Sequence, residues 1–391
     1  MKEQLVTANV LVIHHSRKGT LHALATAAAE GARAAGATVR LRRIDAPGEP
    51  PPTKDDLLWA DGIVWGSPTF YGNVSAPVKQ FIDSTSDLWR ARLLADKVVT
   101  GMTSSTSLNG GQEATLLGLY RSMYHWGAAV MSADSTMPLW AETGANPYGV
   151  SVCANGGDLP SAVRDAAAHT GARITRLAHL VRTGEPAPSA KIVVICQDGR
   201  PALRALAAAV ASGARETGAA VRLRQITPAT TDVPVVTPAD VSWADGLAWG
   251  MPATTGSLPA MTAGFVETVQ DTGADFLGRT VTAFGTTSNA HAGGESTLLA
   301  AYTAMHAWDC LIVAPGYTDP VVTAAGGNPY GTLSHDRNGP PLRTVLAAAR
   351  HQGRRLALLT SRVRGGMLTV TSPRVPARVP AEHAPSRDFS S

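Results

Sequence analysis

Short apolar runs alternate with stretches of helical period from residue 8 onward. Ala8-Asn9-Val10-Leu11-Val12-Ile13 reads as a strand, the segment from about Leu21 to Ala35 as a helix, and Thr38 to Ile44 as a second strand. A proline-rich connection spans Pro47 to Pro52. Two further buried-type runs follow, Asp61 to Gly66 and Lys97 to Met102, and the second leads through a polar loop into helical Ala114 to Tyr120. Strands alternating with helical patterns predict a parallel sheet covered on both faces.

The chain then repeats itself. Arg40-Leu41-Arg42-Arg43-Ile44 recurs 182 residues later as Arg222-Leu223-Arg224-Gln225-Ile226. Trp65-Gly66-Ser67-Pro68 recurs as Trp249-Gly250-Met251-Pro252, and Asn146-Pro147-Tyr148-Gly149 as Asn328-Pro329-Tyr330-Gly331. Solenoid repeats run only ~20–50 residues, so a period this long predicts a domain duplicated in tandem. We place the first copy at residues 5–183 and the second at 190–364, with the linker-like Thr183-Gly184-Glu185-Pro186-Ala187-Pro188-Ser189 between them. Residues 365–391, rich in Pro, Ser and Arg, read as a disordered tail.

Composition changes this picture little. The 391 residues are 44% hydrophobic and 16% charged, with a formal net charge of +4. The arginines are scattered, with no basic block or aromatic-interleaved stripe, which argues against nucleic-acid binding. Cys153, Cys196 and Cys310 share no spacing that suggests a metal. Reduced structural thiols fit a cytoplasmic protein. The first apolar run is strand-length, and no later run reaches the length of a membrane span.

Three loops at strand carboxyl ends carry the candidate chemistry. Ser16-Arg17-Lys18-Gly19-Thr20 joins the first strand to the first helix. Free N–H groups and hydroxyls at a helix N-terminus suit a phosphate, although Ser and Thr also cap helices with no ligand at all. The loop has neither the P-loop nor the dinucleotide pattern. Ser67 to Asn73 places Thr69, Phe70 and Tyr71 where aromatic faces border a planar ligand or plug the sheet end. The stretch Met102-Thr103-Ser104-Ser105-Thr106-Ser107-Leu108-Asn109-Gly110-Gly111-Gln112-Glu113 is a hydroxyl- and glycine-rich loop suited to a polar ring edge, and equally to an ordinary strand-to-helix connection. Together, a phosphate cradle, an aromatic border and a polar rim match what flavin mononucleotide (FMN) requires.

The first copy resembles the flavodoxin-like WrbA family of NAD(P)H:quinone oxidoreductases over essentially its whole length. The resemblance rests on Ser16-x-x-Gly19, Gly66-x-Pro68-Thr69-x-x-Gly72-Asn73-x-Ser75, Phe81-x-Asp83-x-Thr85-x-x-Leu88-Trp89, Ser104-Ser105-Thr106-x-x-x-Gly110-Gly111-Gln112-Glu113, His125-x-Gly127 and Gly144-x-x-Pro147-Tyr148-Gly149. It implies an α/β fold of two tandem flavodoxin-like doubly wound domains, each a five-stranded parallel sheet with helices on both faces. It further implies that Ser16, Arg17, Lys18, Gly19, Thr20 and Leu21 hold the FMN phosphate. Thr69, Phe70 and Tyr71, with Ser105, Thr106, Ser107, Leu108, Asn109 and Gly110, would line the ring. His125 would reach the flavin edge, and Trp89 would wall the quinone and nicotinamide pocket.

The family's phosphate loop commonly has an aromatic residue where Lys18 stands, and Ser107, Leu108 and Asn109 interrupt its glycine run. The second copy departs further. Ser16, Gly19 and Thr20 align with Asp198, Pro201 and Ala202, Asn109 and Gly110 with His291 and Ala292, and His125 with Ala307. The segment matching the one that holds Trp89 has no tryptophan. An aspartate repels a phosphate, and proline lacks the N–H it needs, so the second copy reads as a non-binding structural partner.

The resemblance implies two-electron transfer from NADPH or NADH to a quinone or related aromatic acceptor in ping-pong order, with the flavin carrying the chemistry. It also implies a homodimer forming a pseudo-tetramer. An FMN-binding electron-transfer or redox-partner protein, and a tailoring flavoenzyme for one specific metabolite, stay open as alternatives.

Overall fold

A computed structural model describes residues 8–48, 50–154, 158–184, 189–197, 200–228, 232–272, 276–335 and 339–367. The amino-terminal half runs β1 (Asn9–His15), α1 (Thr20–Ala34), β2 (Thr38–Ile44), α2 (Lys54–Trp59), β3 (Gly62–Pro68), α3 (Ala76–Asp83), α4 (Ser86–Arg90), β4 (Val98–Ser105), α5 (Gln112–Trp126), β5 (Ala129–Met131), β6 (Val150–Cys153) and α6 (Ser161–Thr183). The carboxyl-terminal half repeats the order with β7 (Lys191–Cys196), α7 (Pro201–Arg215), β8 (Ala220–Gln225), α8 (Pro238–Trp243), β9 (Gly246–Ala253), α9 (Ala260–Gln270), β10 (Thr280–Thr287), α10 (Gly294–His306), β11 (Leu311–Val313), α11 (Pro320–Ala324), β12 (Leu333–His335) and α12 (Arg343–Met367).

Each half has the strand order 2-1-3-4-5 of a flavodoxin-like doubly wound sheet: β2-β1-β3-β4-β5 and β8-β7-β9-β10-β11. The fifth position is split, because β6 pairs with β4 beyond β5 and β12 pairs with β10 beyond β11. Sequence reading did not foresee that the two sheets would merge. The edge strands β5 and β11 pair antiparallel, Val130 opposite Ile312, and make one continuous sheet. The halves therefore point their strand carboxyl ends in opposite directions. One apolar layer lies under α1, α6, α7 and α12, the other under α2, α3, α5, α8, α9 and α10, and both cross from half to half.

The repeated sequence motifs prove to be scaffold. Arg40 and Arg42 on edge strand β2 pair with Asp56 at 3.0 Å, and Asp56 closes a capping box with Thr53 at the start of α2. Arg222, Arg224, Asp240 and Thr237 repeat the arrangement. Each pair of arginines gives its aspartate a charge-assisted partner that an isolated buried carboxylate would lack. In the Asn-Pro-Tyr-Gly turns, Asn146 and Asn328 accept from the N–H of Tyr148 and Tyr330 at 3.1 and 3.0 Å. Gly31 and Gly171 let α1 and α6 touch backbone to backbone. A Cβ at either would lie 1.9 Å from a carbonyl oxygen of the other helix. Gly213 and Gly353 do the same for α7 and α12.

The seam between the halves is polar and buried. Tyr124 and its 182-residue counterpart His306 face each other, Oη to Nε2 at 3.2 Å. Arg173 donates to the Asp309 carbonyl at 3.3 Å, and its counterpart Arg355 donates to the Gly127 carbonyl. Two expected boundaries fall partly on residues outside the described set. Residues 5–7, 185–188 and 368–391, including nearly all of the expected tail, lie there. Helix α12 continues through Met367.

Candidate functional site at the strand carboxyl ends of the amino-terminal half

The hydrogen bonds and close approaches between them gather the three loops into one cluster. Ser16 to Gly19 turns from β1 into α1, with Gly19 at φ +89° and no side chain capping the helix. The leading N–H groups of α1, which no intrahelical carbonyl can satisfy, are thus left for another acceptor. Ser16 is only 6% exposed, yet its Oγ has no hydrogen-bond partner. A buried hydroxyl left unmatched is costly, and an anion at the head of α1 would satisfy it together with the free N–H groups. Leu21 packs its side chain in the core, so only its backbone serves the loop. Arg17 and Lys18 are exposed.

Loop two joins loop one through the Arg17 guanidinium, 5.9 Å from the Phe70 ring centroid. Tyr71 and Gly72 both have positive φ, closing a tight turn in which Phe70 and Asn73 exchange backbone hydrogen bonds of 2.9 and 3.0 Å. The turn carries Tyr71 outward until its side chain is fully exposed. Loop three meets loop two at Thr69, whose Oγ1 donates to the Gly111 carbonyl at 3.3 Å and accepts from Thr115 Oγ1 at 2.5 Å. A Cβ on Gly111 would come within 3.1 Å of Gly72 Cα. Within the loop, Ser105 Oγ donates to the Ser107 carbonyl and Gly110 N–H does so at 3.2 Å, while Thr106, Leu108 and Asn109 stand exposed. The residues fit FMN: an uncapped helix head over an unsatisfied serine, an aromatic flank and a polar rim.

His125 and Trp89 are not in this cluster. The resemblance puts His125 at the flavin edge and Trp89 on the wall of the quinone and nicotinamide pocket; within this chain the two stand together, away from the three loops. The helix α5 starts beside loop three at Gln112 and carries His125 to its far end. At 1.5 Å per residue that is about 20 Å away, beside the amino ends of the strands. Trp89 Nε1 donates to the His125 carbonyl at 3.0 Å. The carboxyl-terminal half covers both: Tyr317 lies edge-on to Trp89 at 5.1 Å, and Tyr330 Oη is 3.2 Å from His125 Nε2. Burial holds the His125 imidazole below its ordinary pKa, against the opposing pull of Glu295. Tyr317 and Tyr330 escaped sequence reading as neighbours of these residues, because contact between them requires the antiparallel joining of two sheets.

Among the described residues, the equivalent place in the carboxyl-terminal half keeps fewer of these donors. Pro201 begins α7 without an N–H, next to Arg200. Ala253 replaces Thr69, so Thr297 Oγ1, the counterpart of Thr115, is buried without a partner. Ala292 and Ala307 stand where Gly110 and His125 stand. Asp198 and residues 273–275 lie outside the described residues.

Strand order and loop placement define the class: a flavodoxin-like protein with its site at the strand carboxyl ends. A family model described as NADPH-dependent FMN reductase matches residues 8–140. An NAD(P)H dehydrogenase (quinone) of Deinococcus radiodurans is 39% identical over 168 residues, 38% of this chain and 84% of that protein. One of Sinorhizobium fredii is 37% identical over 195 residues, 44% of this chain and 97% of that protein. Among solved structures, a WrbA-like flavodoxin from Agrobacterium tumefaciens is 31% identical, covering 44% of this chain and 97% of its own, with a TM-score of 0.34. The chain belongs to the WrbA-type NAD(P)H dehydrogenase (quinone) family of flavodoxin-like oxidoreductases.

Proposed function

We propose that the chain is an FMN-dependent oxidoreductase that passes two electrons from NAD(P)H to a quinone or related aromatic acceptor, with one flavin per chain in the amino-terminal half. The observation that carries this reading is the Ser16 hydroxyl, buried without a partner under the uncapped head of α1. The carboxyl-terminal half has Pro201 at the matching helix head. Family membership supports the same cofactor and reductant.

In this reading Ser16 Oγ and the N–H groups of Thr20 and Leu21 hold the phosphate. Thr69, fixed between Gly111 and Thr115, would fix the ring's flank, with Phe70 and Tyr71 bordering it. The segment Ser105 to Gly110 presents polar groups to the ring edge, where they favour negative charge. FMN, when bound, supplies the two-electron redox chemistry. Reductant and acceptor would reach the ring by one approach, past the exposed Tyr71 and Leu108, and use it in turn, a ping-pong order. Two chains would bring four flavodoxin-like halves together as a pseudo-tetramer, and exposed apolar side chains around the loops support that assembly. We place the protein in the cytoplasm, where Cys153, Cys196 and Cys310 would stay reduced.

The test is an absorbance spectrum of purified protein followed by NADPH oxidation with and without benzoquinone. A flavin spectrum, quinone-dependent turnover and parallel double-reciprocal lines are expected. A colourless protein would defeat the flavin reading, turnover without flavin would defeat the mechanism, and intersecting lines would defeat the ping-pong order.

A further inference from the structure

We propose that Arg43 is a ligand of the anion held at the head of α1, and that it makes the site selective for phosphorylated flavin. The inference rests on the flavin reading above. Side chains alternate across a strand. Arg40 and Arg42 face Asp56 on one side of β2, and Arg43 falls on the other, with Val39 and Leu41, which pack in the layer under α1.

Arg43 Nη2 donates to the Ser16 carbonyl at 3.0 Å, which ties the guanidinium to the loop itself. Its Nε is buried and has no hydrogen-bond partner. Nε and Nη2 lie on one edge of a guanidinium, the edge that Arg42 uses in full on the two oxygens of Asp56. On Arg43 half of that edge is spent on the loop and half is unused, and the serine whose carbonyl it holds has a hydroxyl that is likewise unsatisfied. A phosphate accepts from such donors in charge-assisted bonds.

The other basic groups around the loop are poorer candidates. Arg17 and Lys18 are exposed and solvated. His14 bonds through Nε2 to His22 Nδ1 at 3.0 Å, and burial, with His22 and Arg43 nearby, pushes it down to about 4, so it brings no charge at neutral pH. His15 is engaged with Ser75 Oγ at 3.0 Å. Asp45 follows Arg43 closely in the chain, but among the described residues no carboxylate pairs with Arg43. In the carboxyl-terminal half, the counterpart Gln225 turns its amide to the Val233 carbonyl at 2.7 Å. There Cys196 and Arg204 replace His14 and His22 and line a cavity of about 360 Å³. The anchor and its surroundings have been dismantled together.

The test is fluorescence titration of flavin-stripped full-length protein with FMN and, separately, riboflavin. Arg43→Gln is expected to weaken FMN binding at least tenfold and to leave riboflavin binding within twofold of the parent. Equal riboflavin binding also shows that the variant is folded. Arg43→Lys, which keeps the charge but loses the fork, is expected to weaken FMN binding three- to tenfold with riboflavin again unchanged, and it decides the matter if the glutamine variant does not fold. FMN affinity equal to the parent in the folded variants, or parallel loss of both flavins, overturns the assignment of Arg43 alone. A parent protein that binds neither flavin overturns the underlying reading as well.

Discussion

Acid should loosen the seam between the halves, and His306 is the group through which it acts. The imidazole is fully buried, stacked on Tyr120 at 5.3 Å. Ser132 Oγ gives its proton to the Cys310 carbonyl at 2.5 Å, so it must accept from His306 Nδ1 at 2.8 Å. That leaves Nε2 bare to accept from the Tyr124 hydroxyl at 3.2 Å, a neutral ring with both nitrogens used. Burial pushes its pKa from 6.5 down to about 3. The unfolded chain therefore binds a proton between about pH 6.5 and pH 3 that the folded chain refuses, and stability falls on acidification through that window. Each pH unit is worth about 1.4 kcal/mol, so going from pH 6.5 to pH 5 should remove about 2 kcal/mol through this one residue. His306→Gln can serve both neighbours and does not titrate. Urea unfolding at pH 7 and pH 5 should show the parent losing about 2 kcal/mol more than the variant. Equal losses would mean that His306 is not the buried neutral group described, whatever His14 contributes to both proteins.

Other expectations follow from single contacts. Gly31→Val sets side-chain atoms against the Ala168 carbonyl, 1.9 Å from the new Cβ; it should cost ~3 kcal/mol or prevent folding, read as a lower unfolding midpoint. Asp56→Ala removes both the α2 cap and the partner of Arg40 and Arg42; about 3 kcal/mol should be lost by the same assay, and a loss under ~0.5 kcal/mol would show the motif to be idle. His125→Ala should leave FMN affinity within twofold in titration, because the helix carries it about 20 Å from loop three; a tenfold loss would place the ring against His125 instead.

Much of this structure was legible in the chain. The strand-and-helix alternation and the three strand-to-helix loops are local patterns, and local patterns survive folding. The Arg-Leu-Arg motif recurs visibly in the sequence, while its role, holding Asp56 and Asp240 as helix caps, needed coordinates. What escaped depended on the sheets joining through β5 and β11. Three-residue edge strands carry no pairing signal of their own, and without that joining nothing tells that His125 and Trp89 face Tyr317 and Tyr330. The direction of α5 was readable in principle, since a helix leaving a strand's carboxyl end must return toward its amino end, which sets His125 far from loop three of its own half. Arg43 lies inside the repeated motif, and only the pairing of Arg40 and Arg42 with Asp56 shows that it turns to the opposite face of β2.

The most direct test is the flavin content of the purified chain, measured by denaturing it and reading released FMN against protein concentration after saturation and gel filtration. One FMN per chain, abolished by replacing Thr20 with proline and untouched by Ala202→Thr, is the expected result. Two per chain, or flavin that persists when the head of α1 is altered, would contradict an amino-terminal site with a carboxyl-terminal half that only supports it.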